Sequence, residues 1–351
     1  MQSLGDPRIG VYPLISRFRS EDYLLTLILA TRAQLVLDGP AILVEADAQP
    51  GLRPPKYFDD GIGTSPVFAG DFAPFKPRTD VTLLGSAYVP GGRAASSLTV
   101  TFGVGTWRKS LTIIGDSFWV QGAGVERSEP EPFTRMALRL ENAYGGIKSP
   151  YNPWGKGFGV LGAAVGATLP LCNIHPLDQP PAGPDAEIPP AGFGPLAEMV
   201  LPRAGLRGTF DETWLYKRNP LPPPDFKWEF YNAAPEDQQF SPYLLGGETL
   251  YFENLHPDYP VFTSQLPGIR LRVLLRRRDP PRIEELAMVL DSVHVDTDAM
   301  VVDLGWRGVA STPDEKASDL THCTIVTEAL RDAPAPGADL IAAFERASED
   351  C

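Results

Sequence analysis

Between residues 208 and 239 the chain reads GTFDETWLYKRNPLPPPDFKWEFYNAAPEDQQ, and neither a helix nor a strand can run through it. Pro220, Pro222, Pro223 and Pro224 hold the backbone near polyproline II or turn geometry and remove backbone donors. The same stretch holds two Trp, three Phe and two Tyr. A disordered linker is poor in such residues, and an ordinary connection is shorter. The segment is therefore expected to be ordered but non-repetitive, pinned by its aromatic side chains. Two readings of those side chains stay open. They close one end of a core, the common use of large aromatics, or they present a rigid surface to a partner, since Trp and Tyr dominate binding hot spots.

Such a segment needs a framework, and the rest of the sequence supplies strands. With 37 Pro and 33 Gly in 351 residues, and no repeat, the chain is punctuated by turns in the manner of a mainly β protein. The clearest strands are DVTLLGSAYV (80–89), SLTVTFGV (97–104) and WRKSLTIIGD (107–116), joined at Pro90-Gly91-Gly92 and Gly105-Thr106. LLTLILA at 24–30 suits a strand or a helix. Residues 50–80 read as irregular, and 173–205 as a long surface excursion with a helical turn at 195–201. Strands resume at 248–255, 259–266 and 268–278, and 282–310 holds two or three more, with turns near Asp291-Ser292 and Asp296-Thr297-Asp298. PDEKASDL and ADLIAAFERASED near the C-terminus are compatible with helix. The expected fold is mainly β: antiparallel sheets in a sandwich-like arrangement, long ordered Pro/Gly-rich loops, and a small α-containing C-terminal tail. The expected body covers 1–310, either as one unit or as two sheet subdomains, 1–170 and 208–310, joined by the excursion 173–207. An extension, 311–351, follows.

Charge and cysteine usage narrow the function. A formal net charge of −13 argues against nucleic-acid binding, which needs a basic face. Three Cys make no disulfide framework and fit a reducing compartment. The apolar patch at 24–30 is too short to span a bilayer and follows Glu21 and Asp22 rather than a basic leader. The expected location is cytoplasmic, with no membrane insertion.

Motifs for chemistry are thin. GFGVLG (157–162) matches GxGxxG, but a loop precedes it where a dinucleotide site needs a strand. Cys172 and His175 have the spacing of half a metal site, with no matching second half. His322 and Cys323 are adjacent, so on a strand they face opposite ways. His294, Asp296 and Asp298 alternate and would share one strand face, as a hydrolase needs, although Asp and Thr also cluster in turns. Arg270, Arg272, Arg276, Arg277, Arg278 and Arg282 form a local basic patch, read as protection of an edge strand or as a dock for an acidic partner. No catalytic set, metal or cofactor is expected.

Three blocks then stand out together: RMALRLENAYGG (135–146) with NPWGKGF (152–158), PPAGFGPLAEMVLPRAGLRGTFDETWL (189–215), and PLPPPDFKWEFYNAAPEDQQ (220–239). In these the chain resembles the family called domain of unknown function 2169, over about residues 1–310. The third block is the most specific, through Pro222, Asp225, Phe226, Phe230, Asn232, Ala233, Ala234, Pro235, Asp237 and Gln238. Pro223-Pro224 before the Asp, and Met199-Val200 where a Trp is often found, depart from the pattern. The resemblance implies a non-catalytic effector adaptor, or chaperone, of type VI secretion. Such a protein binds a toxin in the producing cell, often through an N-terminal PAAR-like spike-tip domain, and helps load it onto the VgrG spike. The expected partners are that effector and the spike protein. Trp214, Tyr216, Phe226, Trp228, Phe230 and Tyr231 are the candidates for the partner surface or its support. Asn232, Asp237 and Gln238 are expected to hold the loop by hydrogen bonds. The competing readings are a hydrolase using the His294/Asp296/Asp298 face and a structural part of the secretion machine.

Overall fold

A computed structural model describes residues 2–17, 23–59, 63–179, 181–278 and 280–330. The chain is mainly β. Its simplest unit is the hairpin of Ser97–Val104 and Trp107–Ile114, where Trp107 pairs Val104 and Ile114 pairs Ser97. Gly105, at φ 57°, takes the first position of the two-residue turn, where a left-handed backbone matches the strand twist. Val100, Phe102, Val104, Leu111 and Ile113 are all buried in the main core, as the period-2 alternation requires.

This hairpin belongs to a 12-stranded sheet. Its order runs from Ile174–Pro176 through Trp107–Ile114, Ser97–Val104, Thr249–Glu253, Val261–Gln265, Gly39–Leu43 and Tyr23–Val36. It continues through Val301–Thr312, Val289–Asp296 and Thr79–Leu84 to Gln239–Phe240, with Gly10–Arg17 on a second edge of Tyr23–Val36. Most joins are antiparallel, but Val289–Asp296 runs parallel to Thr79–Leu84, and Val261–Gln265 to Gly39–Leu43. Strands from before residue 115 and after residue 239 thus alternate within one sheet. The sheet is curled: Val81 and Leu83 near one end of the order share a core with Leu111 and Ile113 near the other. A four-stranded sheet, ordered Gln2–Leu4, Leu320–Ala329, Ile269–Arg278 and Pro281–Leu286, adds Leu271, Val273, Leu275 and Ile325 to that core.

Tyr23–Val36 resolves the helix-or-strand ambiguity of LLTLILA. Leu25, Leu27 and Leu29 face the main core, while Thr26 and Ile28, on the other face, are buried too. Their cover is the Pro/Gly-rich stretch 50–80, to which Thr26 Oγ1 donates a hydrogen bond at the Pro74 carbonyl (2.8 Å). That cover also seals an ion pair: Arg307, fully buried, donates to the carboxylate of Asp291 and to the carbonyls of Ala73 and Asp71.

Several expectations are corrected. Residues 173–205 are not a surface excursion: Phe193, Leu196, Ala197, Val200 and Arg203 are buried, and the Phe193 ring packs edge-on against Phe102 (centroids 5.9 Å apart). A sequence dense in Pro and Gly lacks periodicity, yet its single apolar residues plug the gap beside the curled sheet. The helical turn lies later than expected, as a 3-10 turn at Arg203–Leu206. Asp291 and Ser292 do not make a turn; they sit inside Val289–Asp296 at a register shift. PDEKASDL is a turn between Val301–Thr312 and Leu320–Ala329 rather than helix. The helix-compatible run 338–350 lies outside the described residues. Ile269–Arg278 is not an edge strand but lies between Leu320–Ala329 and Pro281–Leu286. Its Arg side chains meet acidic neighbours across the strands: Arg272 with Glu285 and Glu328, and buried Arg277 with Glu284 and Asp319.

Candidate functional site

The stretch 208–239 divides into a fastened half and an exposed half. The fastened half starts at Asn232. Its side-chain amide donates to the Arg78 carbonyl and to Asp80 Oδ1, both at 2.9 Å. The backbone amides of Ala233 and Ala234 donate to the same Asp80 carboxylate, at 2.9 and 3.3 Å. Lys76 Nζ completes the shell around Asp80 at 3.0 Å. Small residues are needed at 233 and 234 because the chain lies against the sheet there, and both are buried. Gln238, fully buried, donates from Nε2 to the carbonyls of Val81 (2.8 Å) and Phe193 (2.9 Å). Its Oε1 accepts from Lys109 Nζ (2.8 Å), which also reaches Asp237 (2.9 Å).

Val81 and Lys109 lie on strands near opposite ends of the sheet order, so Gln238 ties the two ends of the curled sheet together. Gln239–Phe240 then pairs with Thr79–Leu84 and sets the Phe240 ring against Trp107 (5.4 Å). Burial without these bonds would cost about 1–3 kcal/mol per stranded group, which explains the specific Asn, Ala, Ala and Gln. Burial lowers the Lys109 pKa, opposed by the Asp237 carboxylate.

Next comes an aromatic platform. Phe226, Trp228, Phe230 and Tyr231 are half-buried and touch one another, with Phe226 5.2 Å edge-on to Trp228 and Trp228 stacked on Tyr231 at 6.0 Å. Trp228 meets Phe75 edge-on at 6.4 Å, beside a small second core of Phe75, Tyr243 and Val289. The guanidinium of buried Arg203 lies 5.2 Å over the Phe230 ring, and its Nε donates to the Phe230 carbonyl. Burial pushes the Tyr231 phenol up.

The exposed half is the short helix Glu212–Lys217. Asp211 caps it by accepting from the Trp214 amide (2.7 Å). Trp214, half-buried, donates its indole N–H to the Leu221 carbonyl (2.7 Å), which ties the helix to the proline run. Asp225 holds the entry by accepting from the Thr209 amide and hydroxyl, and these bonds lower its pKa. On this braced support Phe210, Leu215 and Tyr216 stand in solvent, 53%, 49% and 81% exposed. Of the six aromatics named from the sequence, Tyr216 alone is exposed, and the other five are half-buried. Phe210 and Leu215 were missed because Phe210 stands apart from the proline cluster Pro220–Pro224 and Leu215 is not aromatic. Asp80, Lys109 and Arg203, to which the run is fastened, were missed as well. A charged residue inside the apolar strand DVTLL was the available signal for Asp80.

The alternation His294, Asp296, Asp298 does not make one site. His294 and Asp296 line a cleft of about 500 Å³, whereas Asp298 lies in the turn that follows and binds Tyr88 and Arg135. His294 Nδ1 is 2.8 Å from Thr82 Oγ1, and burial pushes its pKa down to about 4, so the ring is neutral near pH 7. Cys172 and His175 are buried together, with the thiol pushed up to about 12 by burial. Such a thiol is not a nucleophile at neutral pH. His322 and Cys323 lie on Leu320–Ala329, and Cys323 is buried. Gly157 has φ 106° in a two-residue parallel pair with Tyr144–Gly145, not at a strand-to-helix turn. Among the described residues no group of three His, Cys, Asp or Glu is placed to hold a metal ion. Among the same residues no helix is long and apolar enough to cross a membrane.

No curated protein and no solved structure matches the chain. One family profile does, over residues 22–307, and the match takes in all three blocks and every residue of the fastening network. The chain therefore belongs to the bacterial family described as "uncharacterized protein conserved in bacteria", domain of unknown function 2169 (DUF2169).

Proposed function

We propose that this protein is a non-catalytic adaptor, or chaperone, of type VI secretion. It binds a secreted effector in the cytoplasm of the producing cell, through that effector's N-terminal, PAAR-like region, and helps load it onto the spike. The observation that carries this reading is the exposed group of Phe210, Leu215 and Tyr216 on a segment whose other parts are pinned. Exposed aromatics on a braced support lose little conformational freedom on binding, the property of interface anchors. In this reading they cover an apolar stretch of the effector until loading.

Co-expression with the tagged product of a neighbouring toxin gene tests this. The expected result is one co-eluting complex, with the toxin insoluble or degraded when expressed alone. The double variant Phe210→Ala/Tyr216→Ala should fold normally and weaken the complex by about 30-fold or more, as loss of a hot spot of about 2 kcal/mol implies. Two well-folded proteins that ignore each other would overturn the adaptor reading. A fixed stoichiometry in purified spike assemblies would assign the chain to the secretion machine itself.

A further inference from the structure

The stretch 50–80 does more than cover the second face of the large sheet. Beneath it four neighbouring strands carry one polar row. Thr82, His294, Asp303 and Arg32 are register partners on Thr79–Leu84, Val289–Asp296, Val301–Thr312 and Tyr23–Val36. They alternate with Val81, Val293, Val302 and Ala33, which face the main core, so the row lies on the opposite face. Asp303 is buried and accepts from Arg32 Nε (2.6 Å), Arg32 Nη2 (2.9 Å) and Arg53 Nη1 (2.7 Å). The Arg53 guanidinium lies 3.9 Å over the Phe68 ring. Between this row and the covering stretch is the cleft of about 500 Å³, walled by Pro54, Pro55, Tyr57 and Phe68.

Its size and mixed lining are those of a small-ligand site. Its charge is unusual for this chain. Arg32, Arg53 and Lys56 meet Asp296 and Asp303 in the lining and Asp71 behind it, 3.7 Å from Arg53 Nε, so three cations balance three carboxylates at this spot in a protein of net charge −13. Burial pushes the Asp296 carboxyl up. The two Arg are anchored by Asp303, and Lys56 is exposed at the mouth. With Nδ1 engaged by Thr82, His294 has Nε2 left to bond a guest as a neutral group.

We propose that this cleft binds a monocarboxylate carried on a flat apolar body. The carboxylate would meet Arg53 and Lys56, the apolar body would lie along Tyr57 and Phe68, and His294 would supply a neutral hydrogen bond. The cleft leaves two donors for an anionic oxygen, the exposed Lys56 ammonium and Arg53 Nε, which is buried with no hydrogen-bond partner among the described residues, whereas the second charge of a phosphate dianion would be repelled by the Asp296 and Asp303 carboxylates. The same carboxylate can come as a free small molecule or as the C-terminal residue of a peptide. Neither source depends on the adaptor reading, because the site is tested on the isolated full chain.

The test uses the chain with ¹⁵N-labelled His, its four His resonances followed by NMR and His294 assigned through His294→Gln. Benzoate is the probe, benzamide its neutral isostere, and inorganic phosphate the dianion. The expected result is a saturable shift of the His294 ring with benzoate at about 1–10 mM, and at least about tenfold weaker binding of benzamide and phosphate. Lys56→Gln should weaken benzoate about tenfold with an unchanged unfolding midpoint. A dipeptide ending in Phe with a free carboxylate is then compared with benzoate. Tighter binding of the peptide, abolished by its C-terminal amide, assigns the cleft to peptide termini. Equal or weaker binding assigns it to free carboxylates. No shift of His294 at about 50 mM benzoate, equal binding of benzamide, or an unchanged affinity in Lys56→Gln would overturn the proposal.

Discussion

Replacing Asp80 by Ala isolates the fastening of the 208–239 segment to the sheet. Asp80 is 4% exposed and its two oxygens accept four hydrogen bonds: from Lys76 Nζ, the Asn232 amide, and the Ala233 and Ala234 amides. Its removal strands a buried ammonium, at a cost of about 3–5 kcal/mol, and three buried N–H groups at about 1–3 kcal/mol each. These costs do not add in full, because Lys76 keeps Ser292 Oγ (2.9 Å) and the loop can admit water. The lower end of one ion-pair loss plus one stranded donor gives about 4 kcal/mol. At roughly 2 °C per kcal/mol for a large domain, that is a midpoint fall of about 8 °C. The assay is urea unfolding followed by Trp fluorescence, with the thermal midpoint as a second readout. Asp237→Ala is the control: Asp237 is 56% exposed, its partner Lys109 keeps Gln238, and the loss should stay below about 1 kcal/mol. An Asp80→Ala protein within about 1 kcal/mol of the parent would refute the reasoning, since the four bonds would then be replaceable by water.

Two further outcomes follow from buried charge. Arg307→Met leaves the fully buried Asp291 without its cation and should cost about 3–5 kcal/mol in the same urea assay, and Arg307→Met/Asp291→Leu should recover part of that loss. His294 has a folded pKa of about 4, below the ordinary value near 6.5, so acid favours the unfolded state, which takes up the proton first. Stability measured against pH should therefore lose about 3 kcal/mol between pH 6.5 and 4, and the difference between the parent and His294→Gln should carry that loss.

How far the sequence could be read depended on whether one face or two were buried. In Ser97–Val104 and Trp107–Ile114 apolar side chains alternate with polar or small ones because only one face supplies the apolar core, even where Thr101 and Gly103 on the other face are buried too, and their bounds and turn were legible to within a residue or two. Tyr23–Val36 has both faces covered, so its apolar run carries no period and stayed ambiguous. The sheet order was not legible. Strands such as Thr79–Leu84 and Val289–Asp296 are adjacent but far apart in sequence, and a parallel join leaves no turn signal. In the candidate site, the Pro/aromatic run was visible as an ordered segment. Its division was not, because Asn232 and Gln238 are explained only by the carbonyls and the carboxylate they meet on distant strands. The reading of 173–205 as surface failed for a related reason. Phe193 is a single residue between glycines, and nothing periodic announces that it is fully buried.

The central claim is that one segment holds the curled sheet shut with its Asn232–Gln238 end and offers its Phe210–Tyr216 end to a partner. Hydrogen–deuterium exchange of the chain, free and in complex with the proposed effector, tests both halves at once. The account predicts slow exchange at 232–240 in both states, and new protection on binding confined to peptides covering about 207–218. Fast exchange at 232–240 in the free chain, or protection that appears elsewhere and leaves 207–218 unchanged, would contradict it.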